Sequence, residues 1–132
     1  MQYEPTLSRA ELIDLATMQY FASVDRKDMA ATLACFNDEA LFCVQTAFTR
    51  HAGKAAIQRM FEDFFSGFAT IVHKDFVCTV DEANGRITAS FEAVLTGHDG
   101  SVTRFFNTNF WRVRDGKFQE VYVYFSGANV LV

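Results

Sequence analysis

The sequence predicts an α+β fold in which a strongly curved antiparallel sheet wraps against helices and encloses one small-molecule pocket. Apolar residues in the first half of the chain recur at helical spacing, and after residue 68 they alternate as in strands. Helices followed by a meander of long strands favour packing of the helices on one face of an antiparallel sheet. The 15 Phe residues exceed what a core of this size needs, which suggests a lined cavity or a buried partner interface.

Composition limits the classes of function. A chain of 132 residues without linkers or repeats has the size of one domain, taken as residues 1–132. The net charge of -4 and the lack of a basic run argue against nucleic acid binding. With no signal-peptide core and no run of about 20 apolar residues, we expect no membrane span and a cytoplasmic location. The spacing of the Cys and His residues favours reduced thiols and indicates neither a metal site nor a cofactor.

Three helices are expected. Ser8 and Glu11 form a capping box that opens the first helix, which runs to about Val24. Asp28 is the expected N-cap of a short second helix that ends near Phe36, and a third helix follows residue 53 and ends near residue 67. The apolar positions of the first helix are Leu12, Ile13, Ala16, Tyr20 and Val24.

Five strands are expected, over residues 40–46, 71–80, 86–96, 102–114 and 117–126, with turn signals between the last four. Alternation along a strand assigns side chains to faces. The expected concave side of the fourth strand carries Phe105, Asn107, Asn109, Trp111 and Val113. The expected convex face, which is aromatic and amphipathic, carries Phe106, Thr108, Phe110, Tyr122 and Tyr124.

Three segments resemble a known superfamily: residues 20–29 at the first helix junction, residues 51–57 (HAGKAAI) and residues 111–118 (WRVRDGKF). They are similar to the SnoaL-like branch of the nuclear transport factor 2-like superfamily, and the likeness covers roughly residues 8–126. Relatives include ketosteroid isomerases, scytalone dehydratase, polyketide cyclases and the small subunits of ring-hydroxylating dioxygenases. The resemblance implies a cystatin-like cone with a pocket at its wide end, often dimeric, and it fixes no reaction.

The ketosteroid isomerase pattern matches this chain only in part. Its oxyanion-hole tyrosine falls on Tyr20, and its second oxyanion donor, a protonated Asp, falls on Asn109, which still donates a hydrogen bond. Its general base falls on Val44, which accepts no proton. We therefore expect that this protein is not an efficient steroid isomerase. The scytalone dehydratase pattern places a catalytic His on His73 and a pocket Asn on Asn107.

Each candidate has an ordinary structural reading beside the functional one. Tyr20 is either a ligand-binding phenol or a core tyrosine, and the two Asn side chains line the pocket or bond the sheet edge. His73 is a candidate base, although strict alternation turns it to solvent unless a bulge redirects it. Asp25 either pairs with His73 or is a solvated turn residue. His51 and His98 lie in loop-like segments and are expected to be solvated.

The leading hypothesis is that the pocket binds a small, largely apolar molecule with a carbonyl or hydroxyl group. If it is an enzyme, the expected chemistry is dehydration or isomerisation with His73 as base and Tyr20 and Asp25 as its catalytic partners. The predicted ligand-binding residues are Asn107, Asn109, Phe61, Phe64, Phe91, Phe105, Trp111 and Phe125. The alternative is a non-catalytic subunit that binds another protein through its aromatic outer face. We also expect a homodimer through the convex face.

Overall fold

The computed structural model describes residues 4–132, and its element order confirms the predicted α+β class. The helices are α1 (Arg9–Asp14), α2 (Ala22–Asp25), α3 (Met29–Ala34) and α4 (Lys54–Gly67). The strands are β1 (Phe36–Val44), β2 (Thr49–Ala52), β3 (Thr70–Asp81), β4 (Arg86–Thr96), β5 (Val102–Arg114) and β6 (Lys117–Tyr124). None of these helices is long and apolar enough to cross a membrane.

Within residues 4–132, six strands form one curved, unclosed sheet in the order β2-β1-β6-β5-β4-β3. Strands β3 to β6 form the expected meander, and their neighbours are antiparallel. Strands β1 and β6 run parallel, so the sheet is mixed and not wholly antiparallel as expected. The chain leaves β2 through α4, begins again at the far edge with β3 and returns strand by strand, which brings β6 beside β1.

The first helix has a π-helical middle. The capping box at Ser8 and Glu11 is present, and helical dihedral angles continue from α1 through a π-helical segment (Leu15–Phe21) into α2. The Ala22 amide donates to the carbonyl of Thr17, five residues back, which is the π-helical bond. The wider turn lets Tyr20 and Phe21, which are adjacent in sequence, both lie buried at 2% exposure.

Strand β2 is an element that the sequence did not predict. Its residues, TRHA, carry no apolar alternation, and only four residues pair with β1. Strand β1 also begins earlier than predicted, at Phe36, because the Phe118 amide donates to the carbonyl of Cys35 and β6 pairs from that point. The β1–β2 hairpin therefore extends the sheet beside α4.

A β-bulge in β3 reverses the alternation of its side chains. The pairing with β4 shifts between Lys74 and Val77, and Asp75 within the bulge has a left-handed φ of 59°. Before the bulge, Ile71 and His73 face the interior; after it, Phe76 and the inward residues that follow pack against the core. One extra residue thus turns His73 inward, away from the solvent to which strict alternation would send it.

Burial bears out the face assignment of β5. Its concave side chains, from Phe105 to Val113, are all buried, and the three apolar ones join one hydrophobic cluster with the helices. On the other face, Phe106 and Phe110 are 70% and 46% exposed. Helix α4 covers the concave side with a stripe comprising Ile57, Met60, Phe61, Phe64 and Phe65. The core therefore lies between the curved sheet and the helices, where the pocket was expected.

The left-handed conformation of Asp75 generates a stability prediction. Left-handed backbone costs L-residues roughly 1–2 kcal/mol, less for Asp and more for β-branched residues. We expect Asp75→Val to lower the free energy of unfolding by about 1–2 kcal/mol and Asp75→Gly to leave it unchanged or slightly higher, measured by urea unfolding. Thr79→Val, at an exposed position of regular β3 backbone, is the control and should change little. An Asp75→Val protein as stable as the native chain would contradict the bulge.

Candidate functional site

A small interior cavity of about 30 Å³ lies between the helices and the concave side of the sheet. A void of this size holds about one water molecule, whereas ligand pockets usually measure about 300–1,000 Å³. The interior as it stands is therefore filled almost entirely by the chain's own side chains. The predicted site residues that line it are Tyr20, His73, Asn107, Asn109, Phe61, Phe64, Phe91, Phe105 and Phe125.

Trp111 is the predicted pocket residue that does not line this cavity. Its ring is 1% exposed and stacks on Phe118, with 5.6 Å between ring centroids and 23° between planes. The Tyr20 ring meets it edge-on at 6.1 Å. Trp111 faces the concave side as expected, but it belongs to the packed layer beside the cavity. Its indole Nε1 is buried without a hydrogen-bond partner among residues 4–132.

Asp25 and His73 form a doubly hydrogen-bonded pair. The His73 ring donates from Nδ1 to Asp25 Oδ1 at 2.6 Å, and the His73 amide donates to Asp25 Oδ2 at 2.8 Å. Because an ionised carboxylate only accepts, the Nδ1 proton is the one held by Asp25, and Nε2 of the neutral ring carries the lone pair. The His73 side chain is 9% exposed and lines the cavity. The arrangement fixes one tautomer and leaves Nε2 as a proton acceptor.

The ring of His73 is also held between aromatic residues. Phe21 stacks on it with centroids 4.3 Å apart and planes 26° apart, and Phe91 meets it at 5.5 Å with planes at 60°. Phe21 reaches this position because the π-helical segment turns it and Tyr20 inward together. The sequence analysis did not identify Phe21, since a regular helix would not bury two adjacent residues so completely.

Tyr20 supplies a buried, uncharged phenol. Burial is the main cause that raises its pKa far above the usual 10.0, and the nearby Cys35 and Asp25 raise it further. The phenol therefore stays protonated across the physiological range and acts as a hydrogen-bond donor. Within residues 4–132 its hydroxyl makes no hydrogen bond, although the ring lines the cavity.

The two asparagines of β5 differ in their partners. Asn107 Oδ1 accepts from the Ser126 amide at 3.1 Å, so this side chain holds the segment after β6, as in the sheet-edge reading. Asn109 is 3% exposed, and its Oδ1 has no hydrogen-bond partner in the described part of the chain. A buried amide oxygen left unpaired costs about 1–3 kcal/mol, so this acceptor calls for a ligand or a water molecule in the cavity.

His51 was expected in solvent, and the structure corrects this. It lies in β2 and is 3% exposed. Its Nε2 donates to the Leu131 carbonyl at 3.0 Å, and its Nδ1 accepts from Arg59 at 3.3 Å. His51 is therefore a buried, satisfied side chain that anchors the segment after β6. His98 is exposed, as expected, and its Nε2 donates to the Ser66 carbonyl.

The charge of the lining restricts what the cavity can bind. In the part of the chain that the structure describes, the residues around the cavity include no Lys, Arg, Asp or Glu, and Asp25 contacts a lining residue through its bonds to His73. A carboxylate or phosphate group would find no cation there, and burying an unpaired charge is very costly. The polar side chains that line the cavity are those of Tyr20, His73, Asn107 and Asn109, and the Asn107 oxygen is already bonded to the Ser126 amide. These side chains suit an uncharged molecule that has one oxygen to accept a hydrogen bond and one group to donate a hydrogen bond.

A wider, open cleft of about 560 Å³ lies on the other side of the sheet. Its wall includes Phe110, Arg112, Glu120, Tyr122 and Tyr124. The Tyr122 hydroxyl donates to Glu120 Oε1 at 2.6 Å, and Arg112 donates to Glu120 Oε2 at 3.1 Å. Burial and the bond to Glu120 raise the pKa of Tyr122 to about 12. Because these polar groups satisfy one another, the interior cavity is the better candidate site.

Comparison with known proteins agrees with this architecture. The family model of the SnoaL-like domain matches residues 18–121. No curated protein matches the chain at a significant level.

Solved structures with the same fold carry several names. A protein from Xanthomonas campestris pv. campestris, provisionally assigned as a polyketide cyclase, superposes with a TM-score of 0.79 at 21% identity, covering 88% of this chain and 90% of that chain. An LEH-like epoxide hydrolase of M. tuberculosis gives 0.76 at 14% identity, covering 89% and 84%. A provisionally assigned ketosteroid isomerase from Kribbella flavida gives 0.70 at 18% identity, covering 91% and 81%. At these identities the similarity establishes the fold alone.

The raised pKa of Tyr20 predicts a change in stability at alkaline pH. In the unfolded chain the phenol ionises above about pH 10, whereas in the folded chain it stays neutral, so ionisation favours unfolding. The contribution is fully present below pH 10 and falls by up to about 1.4 kcal/mol per pH unit above it. Urea unfolding at pH 8 to 11 should show a native chain whose stability falls more steeply than that of Tyr20→Phe, with about 1.4 kcal/mol of difference gained by pH 11. Parallel curves for the two proteins would show that the phenol is not buried in its neutral form.

Proposed function

The chain belongs to the SnoaL-like domain family, and from this premise we propose that it is an acid–base enzyme acting on a small, uncharged, largely apolar hydroxy-carbonyl compound. The family match supports a small-molecule-binding or isomerase-like role, and the named neighbours act on small molecules of several kinds. The proposal goes further by naming the reaction as dehydration with His73 as base.

The observation that carries the proposal is the Asp25–His73 pair facing the same cavity as the Tyr20 hydroxyl. A carboxylate that holds Nδ1–H orients the ring and stabilises the imidazolium that forms when Nε2 takes a proton. A purely structural histidine does not need to line a cavity beside a tyrosine and an unpaired amide oxygen.

The chemistry follows from what each group can do. His73 Nε2 removes the proton from the carbon next to the substrate carbonyl, and the Tyr20 hydroxyl donates a hydrogen bond to the oxygen on which negative charge develops. The hydroxyl on the neighbouring carbon then leaves with the proton from His73, giving a conjugated enone and one water molecule. Asn109 Oδ1 accepts a hydrogen bond from the substrate hydroxyl and holds it in place before it leaves.

Steroid isomerisation is not part of this proposal. The position that matches the base of ketosteroid isomerases is Val44, which is fully buried and does not line the cavity. Four fused rings also greatly exceed a space of about 30 Å³.

The dehydration proposal predicts a large effect of His73 and Asp25 variants. With 4-hydroxypentan-2-one as substrate and enone absorbance as readout, His73→Gln should lower kcat by about 10²–10⁴-fold, because a positioned base is worth that much. Asp25→Asn should lower kcat by about tenfold or more, because an amide no longer favours the productive tautomer.

His98→Gln is the matched control, since His98 is exposed and away from the cavity, and it should retain full activity. A β,γ-unsaturated ketosteroid followed by the same absorbance should give no robust turnover. Dehydration by His73→Gln at the native rate, or no dehydration by the native chain, would contradict the proposal.

A second role rests on the exposed aromatic residues of the convex face, defined as Phe106, Thr108, Phe110, Tyr122 and Tyr124. Phe106 is 70%, Phe110 46% and Tyr124 41% exposed, and the Phe110 and Tyr124 rings meet at 5.6 Å. Monomeric proteins seldom leave such a contiguous apolar patch in water. We propose that a second copy of the chain covers it; a non-catalytic subunit bound to a larger protein is the alternative occupant.

The dimer proposal predicts a concentration-dependent mass. Light scattering at micromolar concentration should give twice the 14.9 kDa of one chain. Phe110→Asp should weaken dimerisation by roughly 30-fold or more, because it places a charge in a desolvated patch. Phe48→Asp is the control, since Phe48 is 95% exposed outside this face. A monomer at micromolar concentration contradicts the homodimer, and a stoichiometric larger partner in a pull-down from the native source supports the alternative.

A further inference from the structure

The residues that follow β6 close the interior from one side. Residues 125–131, here called the strap, belong to no helix or strand. Val130 and Leu131 line the cavity together with Tyr20 and His73, and Leu131 is 8% exposed. The strap also passes close to β5, because a Cβ at Gly127 would lie 2.8 Å from Phe105 Cε1.

The strap is held mainly by side-chain hydrogen bonds. Its amides at Phe125 and Ser126 donate to Thr46 Oγ1 and Asn107 Oδ1 at 3.1 Å each, and the Leu131 carbonyl accepts from His51. Asn129 Nδ2 donates to Thr49 Oγ1 at 3.3 Å, and its Oδ1 accepts from the Leu131 amide at 2.9 Å. Bonds to individual side chains are lost one at a time, unlike the continuous ladder between paired strands. The strap is therefore the part of the cavity wall that separates most readily from the sheet.

The cavity is lined by polar groups without partners, but it has too little free space for a ligand that could bond them. The Tyr20 hydroxyl and the Asn109 oxygen lack partners within residues 4–132, yet the free space beside them holds no more than about one water molecule. The helices and sheet strands that form the rest of the wall are fixed by regular hydrogen bonding. No such ladder holds the strap, so its side chains are the part of the wall most readily displaced to make space for a ligand.

We propose that Val130 and Leu131 occupy the ligand site of the closed protein, and that the ligand binds by displacing these two side chains. This deepens the proposed function, on which it rests, because it sets the size of the substrate. The apolar part of the ligand is a branched aliphatic or single-ring group about as large as the valine and leucine side chains together. A fused polycyclic group is too large for the exchange.

This exchange, in which the ligand replaces the Val130 and Leu131 side chains, has a consequence for affinity. A ligand that binds only when the strap is displaced has an apparent affinity reduced by the small fraction of protein in that state. Removing the leucine side chain enlarges the cavity and weakens the closed state together. Removing an anchor outside the cavity, such as Asn129, weakens the closed state without changing the lining.

Binding of cyclohexanone, a single apolar ring with one carbonyl, tests the exchange by calorimetric or NMR titration. We expect Leu131→Ala to bind it roughly tenfold or more tightly than the native chain, and Asn129→Ala to bind it several-fold more tightly. Val132→Ala is the matched control, since Val132 follows Leu131 and is 62% exposed, and it should bind as the native chain does. If Leu131→Ala does not fold, Asn129→Ala carries the same test.

Equal affinity of the native chain and Leu131→Ala, or of the native chain and a folded Asn129→Ala where the first does not fold, would overturn the exchange. The dehydration assay separates this result from failure of the proposed function. Tighter binding in the strap variants without His73-dependent turnover supports the exchange and rejects the chemistry. His73-dependent turnover with unchanged binding supports the chemistry and rejects the exchange.

Discussion

The pair of hydrogen bonds from His73 to Asp25 joins the end of the first helix to the edge strand β3. One bond comes from the main chain and the other from the ring, so the same carboxylate positions both the strand and the side chain. The bulge at Asp75 turns His73 inward, and the π-helical segment brings Phe21 against its ring. Without the carboxylate, the buried imidazole would lose its partner, and the edge of the sheet would lose its link to the helix.

The Asp25–His73 pair lies beside an unusually aromatic interior. Within residues 4–132 the Tyr20 ring contacts five aromatic side chains, and this close packing fixes the ring beside the cavity. Such packing excludes water and strengthens any hydrogen bond made there, and it raises the cost of leaving the Asn109 oxygen unpaired. The many Phe residues, which first suggested a lined cavity, pack around a few polar groups and hold them in position.

Regular patterns in the sequence predicted the parts of the fold that obey regular patterns. The bounds of β4 and β5 and the buried face of β5 agree with alternation, because these two strands pair with each other without a register shift. The orientation of His73 needed a bulge, and the burial of Phe21 needed a π-helical turn; both are single-residue insertions that leave only a weak trace in a sequence. Strand β2 and the buried His51 were missed because a four-residue edge strand shows too little alternation to detect. Trp111 lies on the predicted face, but periodicity cannot tell a packed layer from a cavity wall.

The parallel pairing of β1 with β6 affects how the chain reaches this structure. The hairpins of the meander connect segments that are neighbours in sequence. Phe36 and Phe118, which pair in the β1–β6 ladder, are separated by nearly all the other strands. Loop-closure entropy opposes contacts between distant segments until nearer ones have shortened the effective loop. The meander therefore assembles first, and β1 docks late onto the exposed edge of β6. Until that docking, the hydrogen-bonding edge of β6 is open to another chain, which makes this step the one most sensitive to protein concentration during refolding.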